Sequence, residues 1–121
     1  MPRNILVIDD DEGVRKYFKR LLESLGYSVE LAETGDAGHA RAADPAVDLV
    51  ITDLMIPGKP SGMDLVKALR AQRPDCPVVV VSGHPTGDRL KLADELGVEF
   101  LTKPFELSFI RKVLERLFAK D

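Results

Sequence analysis

Four acidic residues in a row, Asp9, Asp10, Asp11 and Glu12, follow the strand-like run Asn4–Ile8. Asp53 closes a second such run at Val47–Thr52, Ser82 ends a third at Val78–Ser82, and Lys103-Pro104 follow a fourth at Val98–Thr102. Brought to one place, these residues would form a pocket of three or four carboxylates, a hydroxyl and an ammonium. Convergent carboxylates repel, and at least one takes up a proton unless a cation lies among them. A hard, oxygen-seeking divalent ion meets that need, and Mg²⁺ typically combines one or two carboxylates with waters and a phosphate oxygen. Zinc would want a soft Cys/His set, and Cys76 is the only cysteine. A carboxylate beside such an ion can attack phosphorus and become an aspartyl-phosphate. Lys103 would then face the phosphoryl oxygens, and Ser82 would donate a hydrogen bond to them.

Each of these residues has a plainer reading when taken alone. Asp10 or Asp11 reads equally as a helix N-cap, Asp53 and Ser82 as turn residues, Lys103 as a solvated surface lysine and Pro104 as the first residue of a helix. His39, set among Ala and Arg, reads as a surface residue. His84 reads as a loop residue rather than a ligand, because Mg²⁺ prefers oxygen. Cys76, between Pro74 and Pro77, reads as a neutral free thiol. The combination outweighs the single readings, because every group falls at a strand end on the same edge.

The elements that would carry these residues alternate. Short β-branched runs at Asn4–Ile8, Tyr27–Ala32, Val47–Thr52, Val78–Ser82 and Val98–Thr102 are separated by helical segments. Val14, Phe18, Leu21, Leu22 and Leu25 share one helical face, which Gly26 ends. Thr34–Asp44 is Ala-rich, with Gly38 weakening it by about 1 kcal/mol. Met63, Val66 and Leu69 mark a third helix that stops before Pro74. Thr86–Leu96 has a ragged apolar pattern, and Leu107, Ile110, Leu114, Leu117 and Phe118 mark the last helix. Five repeats of strand then helix predict a parallel sheet covered on both faces. In such a sheet, ligands bind beyond the carboxyl ends of the strands, where strand order reverses.

Composition narrows the possibilities. The chain has 121 residues, 17 Lys+Arg against 20 Asp+Glu, a net charge of −3, 45% hydrophobic and 31% charged residues. That balance suits one ordinary globular domain and argues against direct nucleic-acid binding, which needs a basic footprint. No apolar run approaches the roughly 20 residues that span a bilayer, and the N-terminus lacks a signal-peptide pattern. A cytoplasmic domain without membrane contact is expected.

Ile5-Leu6-Val7-Ile8-Asp9-Asp10, Asp53-Leu54-Met55-Ile56-Pro57, Val81-Ser82-Gly83 and Lys103-Pro104-Phe105 together resemble the CheY-like receiver domain of two-component response regulators. The resemblance spans essentially the whole chain, so residues 1–121 read as a single receiver domain. It implies a flavodoxin-like α/β sandwich, with a five-stranded parallel sheet in order 2-1-3-4-5 and five helices. It implies that Asp53 is the phosphoacceptor and that Asp9, Asp10, Asp53 and the Met55 backbone carbonyl form the Mg²⁺ site, with Mn²⁺ able to substitute. Asp10 would bind the metal directly and Asp9 mainly through water. Lys103 and Ser82 would bind phosphate, the Lys103–Pro104 bond would be cis, and Ser82 with Phe100 would form the switch pair. The phosphoryl donor would be a phosphohistidine of a sensor histidine kinase or a histidine phosphotransfer protein. Apart from its own phosphotransfer and slow autodephosphorylation, such a domain is a regulator rather than an enzyme.

Three features depart from the family pattern. The loop Pro57–Gly62 is one residue longer, Phe100 lacks the hydroxyl of the commoner tyrosine, and Met55 and Gly83 flank the site where dephosphorylation rates vary most. A flavin carrier on the same fold is disfavoured, because Asp10-Asp11-Glu12-Gly13 would repel a flavin phosphate. A phosphatase of the Asp-x-Asp type is disfavoured by Met55, and a phosphorylation-independent module by the intact acidic set. Signal would leave by the face built from the fourth helix, fifth strand and fifth helix, toward an output domain or a second copy. Phe109 falls outside the apolar arc of the last helix and reads equally as a contact residue there or as packing against the fourth helix.

Overall fold

The computed structural model describes residues 2–83, 86–103 and 107–119. Along them strands and helices alternate: β1 (Asn4–Ile8), α1 (Glu12–Ser24), β2 (Ser28–Ala32), α2 (Gly35–Ala42), β3 (Leu49–Asp53), α3 (Gly62–Gln72), β4 (Val78–Ser82), α4 (Gly87–Leu96), β5 (Glu99–Thr102) and α5 (Leu107–Phe118). The strands form one five-stranded sheet in the order β2-β1-β3-β4-β5, with every neighbouring pair parallel. This is the flavodoxin-like arrangement, with helices on both faces.

Helix starts follow local chemistry. Asp11 caps α1 by accepting a hydrogen bond from the Val14 amide, 3.1 Å away. Thr34 caps α2 and Thr86 caps α4 through their hydroxyls in the same way. Some strand boundaries are shorter than periodicity predicts, because neighbouring helices claim the first residue. The Tyr27 amide returns to Leu22 O and the Val98 amide to Ala93 O, closing α1 and α4, while Val47 N closes a turn onto Asp44 O. Gly38 is in place because α2 lies tight on β1: a methyl group there would come within 2.4 Å of Ile8 Cδ1.

Two cores flank the sheet. On one face, Phe18 and Leu22 of α1 and Ile110, Val113, Leu114 and Phe118 of α5 pack on Ile5, Val7, Ile51, Val79, Val81 and Leu101. On the other, Leu65, Val66 and Leu69 of α3 and Ala42 of α2 pack on Leu6, Ile8, Val50, Val78 and Val80. β4 is buried along its whole length, as its unbroken valine run predicts for a central strand. Cys76 is buried at the far end of the second core. Burial pushes its thiol above the ordinary pKa, so the sulfur is an inert packing group. Among the described residues no helix is long and apolar enough to cross a membrane.

The period of two in each strand also sorts the polar residues. Asp9 continues the side of Val7, Asp53 that of Ile51 and Lys103 that of Leu101, which is the α1/α5 face. Ser82 and Phe100 continue the side of Val80, the opposite face. α5 closes the first of these faces together with α1. Ile110 is 0% exposed, and Ile110→Ala is expected to lower the unfolding free energy by about 2–5 kcal/mol in urea titration.

Candidate functional site

The sheet order reverses between β1 and β3, and Asp9 and Asp53 stand at the carboxyl ends of those two strands. β1 runs on for one residue, since the Asp9 amide still reaches Ala32 O at 3.0 Å. Asp9 is held at two more points. Its Oδ1 accepts the Asp11 amide at 2.9 Å, its carbonyl accepts Arg15 Nη1 at 2.8 Å, and only 4% of the residue is exposed. Asp53, the last residue of β3, is also buried. Its Oδ1 accepts the Met55 amide at 2.8 Å and its Oδ2 accepts Lys103 Nζ at 2.7 Å.

Lys103 reaches that position because its own amide extends the β4–β5 ladder, donating to Ser82 O at 2.9 Å. Folding thus places an ammonium against a carboxylate fifty positions earlier in the chain. Burial pulls the Lys103 ammonium toward its neutral form. The hydrogen bond and charge of Asp53, with Asp9 and Asp11 beyond, outweigh that and hold its pKa above the ordinary value.

Asp9 shows the opposite imbalance. Burial raises its carboxyl from 3.8 to about 6, and the Asp11 amide and the Lys103 charge only partly offset burial and the adjoining Asp53 carboxylate. The two carboxyls are close enough to interact by hydrogen bond as well as by charge. A pocket that holds two buried carboxylates against one ammonium suits an added divalent cation. Two carboxylates with backbone oxygen and waters match the preference of Mg²⁺. Asp10 follows in an exposed position, so the expected convergence of three or four carboxylates is not seen: among the described residues no group of three or more carboxylates, imidazoles or thiols is placed to hold a metal ion.

Ser82 ends β4 and is buried, while Phe100 is half-buried on the same sheet face, packed against the α2/α3 core. Met55 is exposed beside Asp53. His84 and Pro104, and with it the expected cis bond at Lys103–Pro104, lie outside the described residues. His39, expected at the surface, is half-buried on α2. The residue that sequence reasoning missed is Arg15. Its guanidinium is mostly buried, bonds the Asp9 carbonyl and lies 3.9 Å from Glu33. Its position, one turn into a helix opened by an acidic run, was the available signal.

The raised Asp9 pKa fixes a sign for pH dependence. Between about 3.8 and 6 the folded protein keeps a proton that the unfolded chain has released. Asp9 therefore favours folding most at low pH, and its contribution falls as pH rises through that window. Asp9→Asn keeps the acceptor for the Asp11 amide and removes the charge. In metal-free buffer near neutral pH it is expected to raise the melting temperature by roughly 5 °C, with the gain shrinking below the window. Calorimetry across pH checks this.

Comparison with known proteins agrees with this architecture. A model of the response regulator receiver domain matches residues 5–115. The response regulator MprA of Mycolicibacterium vanbaalenii is 36% identical over 126 aligned positions, covering all of this chain and 54% of that protein. The chain thus spans about half the length of the curated relatives it matches. A receiver domain from Clostridium thermocellum superposes with a TM-score of 0.89 at 31% identity, over 97% of this chain and 94% of that one. A response regulator from Burkholderia pseudomallei, solved with a phosphorylated aspartic acid and a calcium ion, gives 0.79 at 30% identity, over 89% and 64%. With its sheet order, paired acids and lysine in place, the chain belongs to the response regulator receiver domain family, whose members are regulatory phosphoacceptors rather than enzymes.

Proposed function

We propose that Asp53 accepts a phosphoryl group from a phosphohistidine on a sensor histidine kinase or a histidine phosphotransfer protein. The observation that carries this is the setting of Asp53. It is a buried carboxylate at the switch point, with one oxygen on Lys103 and the other on the Met55 amide. The phosphorylated aspartate and calcium ion of the Burkholderia pseudomallei regulator support the same reading.

The Met55 amide and Lys103 orient the Asp53 carboxylate for in-line attack. An Asp53 oxygen forms a bond to phosphorus as the P–N bond breaks, and the electron pair leaves on the imidazole nitrogen. Lys103 then exchanges its contact with Asp53 for the phosphoryl oxygens and holds their charge. Mg²⁺, when bound, would supply further charge neutralisation along the reacting oxygens. Asp9, Asp10, Asp53 and the Met55 carbonyl are the residues that would hold it.

The acyl phosphate adds nearly two negative charges beside β4. Ser82, at the end of that strand, turns its hydroxyl toward the phosphoryl group. Phe100, which shares its sheet face, moves into the space released. Such a change biases a pre-existing equilibrium of the face formed by α4, β5 and α5. Phe109 of α5 and Leu90 of α4 are 53% and 45% exposed on those helices, which favours a contact role for Phe109. An output domain or a second copy of the chain is the partner that this face would meet.

Incubation with acetyl phosphate and Mg²⁺ tests the assignment by intact mass. One phosphoryl group is expected on the wild type and none on Asp53→Asn. Lys103→Ala is expected to slow the gain by about a hundredfold. Phosphorylation that survives Asp53→Asn, or none in the wild type, would overturn it.

A further inference from the structure

The segment that leaves Asp53 does not run free to α3. Leu54 and Ile56 are buried in the α2/α3 core, while Met55 between them stays exposed. Beyond Ile56 the chain lies across the first turn of α2. Pro57 O accepts the Gly35 amide at 2.9 Å. Gly58, at φ +104°, sits so close to α2 that a methyl group on it would come within 2.4 Å of Asp36 Oδ1. A methyl group on Gly35 would lie 1.7 Å from Pro60 O and 2.9 Å from Pro60 C. Both obstructing atoms belong to the loop backbone, so no rotamer change relieves them. The loop would have to retreat by about 1 Å or more.

Helix propensity argues the other way at this position. Gly35 opens α2 behind an intact Thr34 cap, where alanine would favour the helix. The glycine therefore serves the loop rather than the helix. We infer that Gly35 is a positioning residue: by admitting the Pro57–Ser61 backbone onto the first turn of α2, it holds the segment carrying Met55 in register with Asp53. This rests on the phosphoacceptor role of Asp53 proposed above. It also gives the longer loop a structural purpose, since its Pro57, Gly58 and Pro60 supply the contacts with α2.

The test compares the wild type, Gly35→Ala and Gly58→Ala. Three quantities are read: the rate of phosphorylation by acetyl phosphate, the Mg²⁺ midpoint from amide NMR shifts, and hydrogen exchange at residue 35 without metal. Both variants are expected to lose exchange protection at residue 35. Both are also expected to weaken Mg²⁺ binding and slow phosphorylation by about tenfold to a hundredfold, with the sheet amides unchanged. Gly58 is exposed and lies outside α2, and the nearest atom its added methyl meets is the Asp36 side chain, so Gly58→Ala still reports if Gly35→Ala fails to fold. Normal Mg²⁺ midpoints and normal rates in a folded Gly35→Ala or Gly58→Ala overturn the positioning role and leave the Asp53 assignment intact. A wild type that gains no phosphoryl group overturns the Asp53 assignment instead, while exchange and Mg²⁺ binding still report on the clamp.

Discussion

Two carboxylates, Asp9 and Asp53, are buried side by side with a single ammonium to offset them. Removing like charges from water is costly, and a packed interior tolerates it only where strong partners replace the solvent. Here the partners are backbone amides, from Asp11 and Met55, and the ammonium of Lys103. The compensation is incomplete at Asp9, whose carboxyl is raised first by burial and then by the neighbouring Asp53 charge. That residual imbalance is what makes the pocket receptive to added positive charge. Asp9 is fixed on all sides, its amide by Ala32, its carbonyl by Arg15 and its carboxylate by the Asp11 amide.

The sheet divides the labour between its faces. Alternation along β1, β3 and β5 puts Asp9, Asp53 and Lys103 on the α1/α5 side, while Ser82 and Phe100 continue the α2/α3/α4 side. The Lys103 amide to Ser82 carbonyl bond ties the two groups together through the β4–β5 ladder. The β3–α3 loop forms a second tie, from Asp53 through Met55 to the start of α2.

Much of this was legible beforehand. The strand–helix alternation, the valine run of β4 and the amphipathic stripes of α1 and α5 gave the elements, because periodicity reports burial directly. Boundaries slipped at Tyr27, Val47 and Val98, where a helix or turn competes with the strand for one amide. Arg15 carried only the weak signal of its place after the acidic run, because a basic residue on a surface helix is commonplace until its guanidinium is found on the Asp9 carbonyl. Gly38 looked like a weakness in α2 and is a close-approach position against Ile8.

The order of polar groups at strand ends is a property of the sequence, and with the family resemblance it singled out the acids, the hydroxyl and the lysine as candidates. Their mutual distances are not, because they depend on which strands become neighbours and on the twist that brings β1, β3 and β5 to a common edge. Only the assembled sheet could decide that Lys103 pairs with Asp53, that Asp9 bears the uncompensated charge, and that a loop after β3 lies on α2. Local pattern fixes what each residue can do. Long-range packing fixes which partner it does it with.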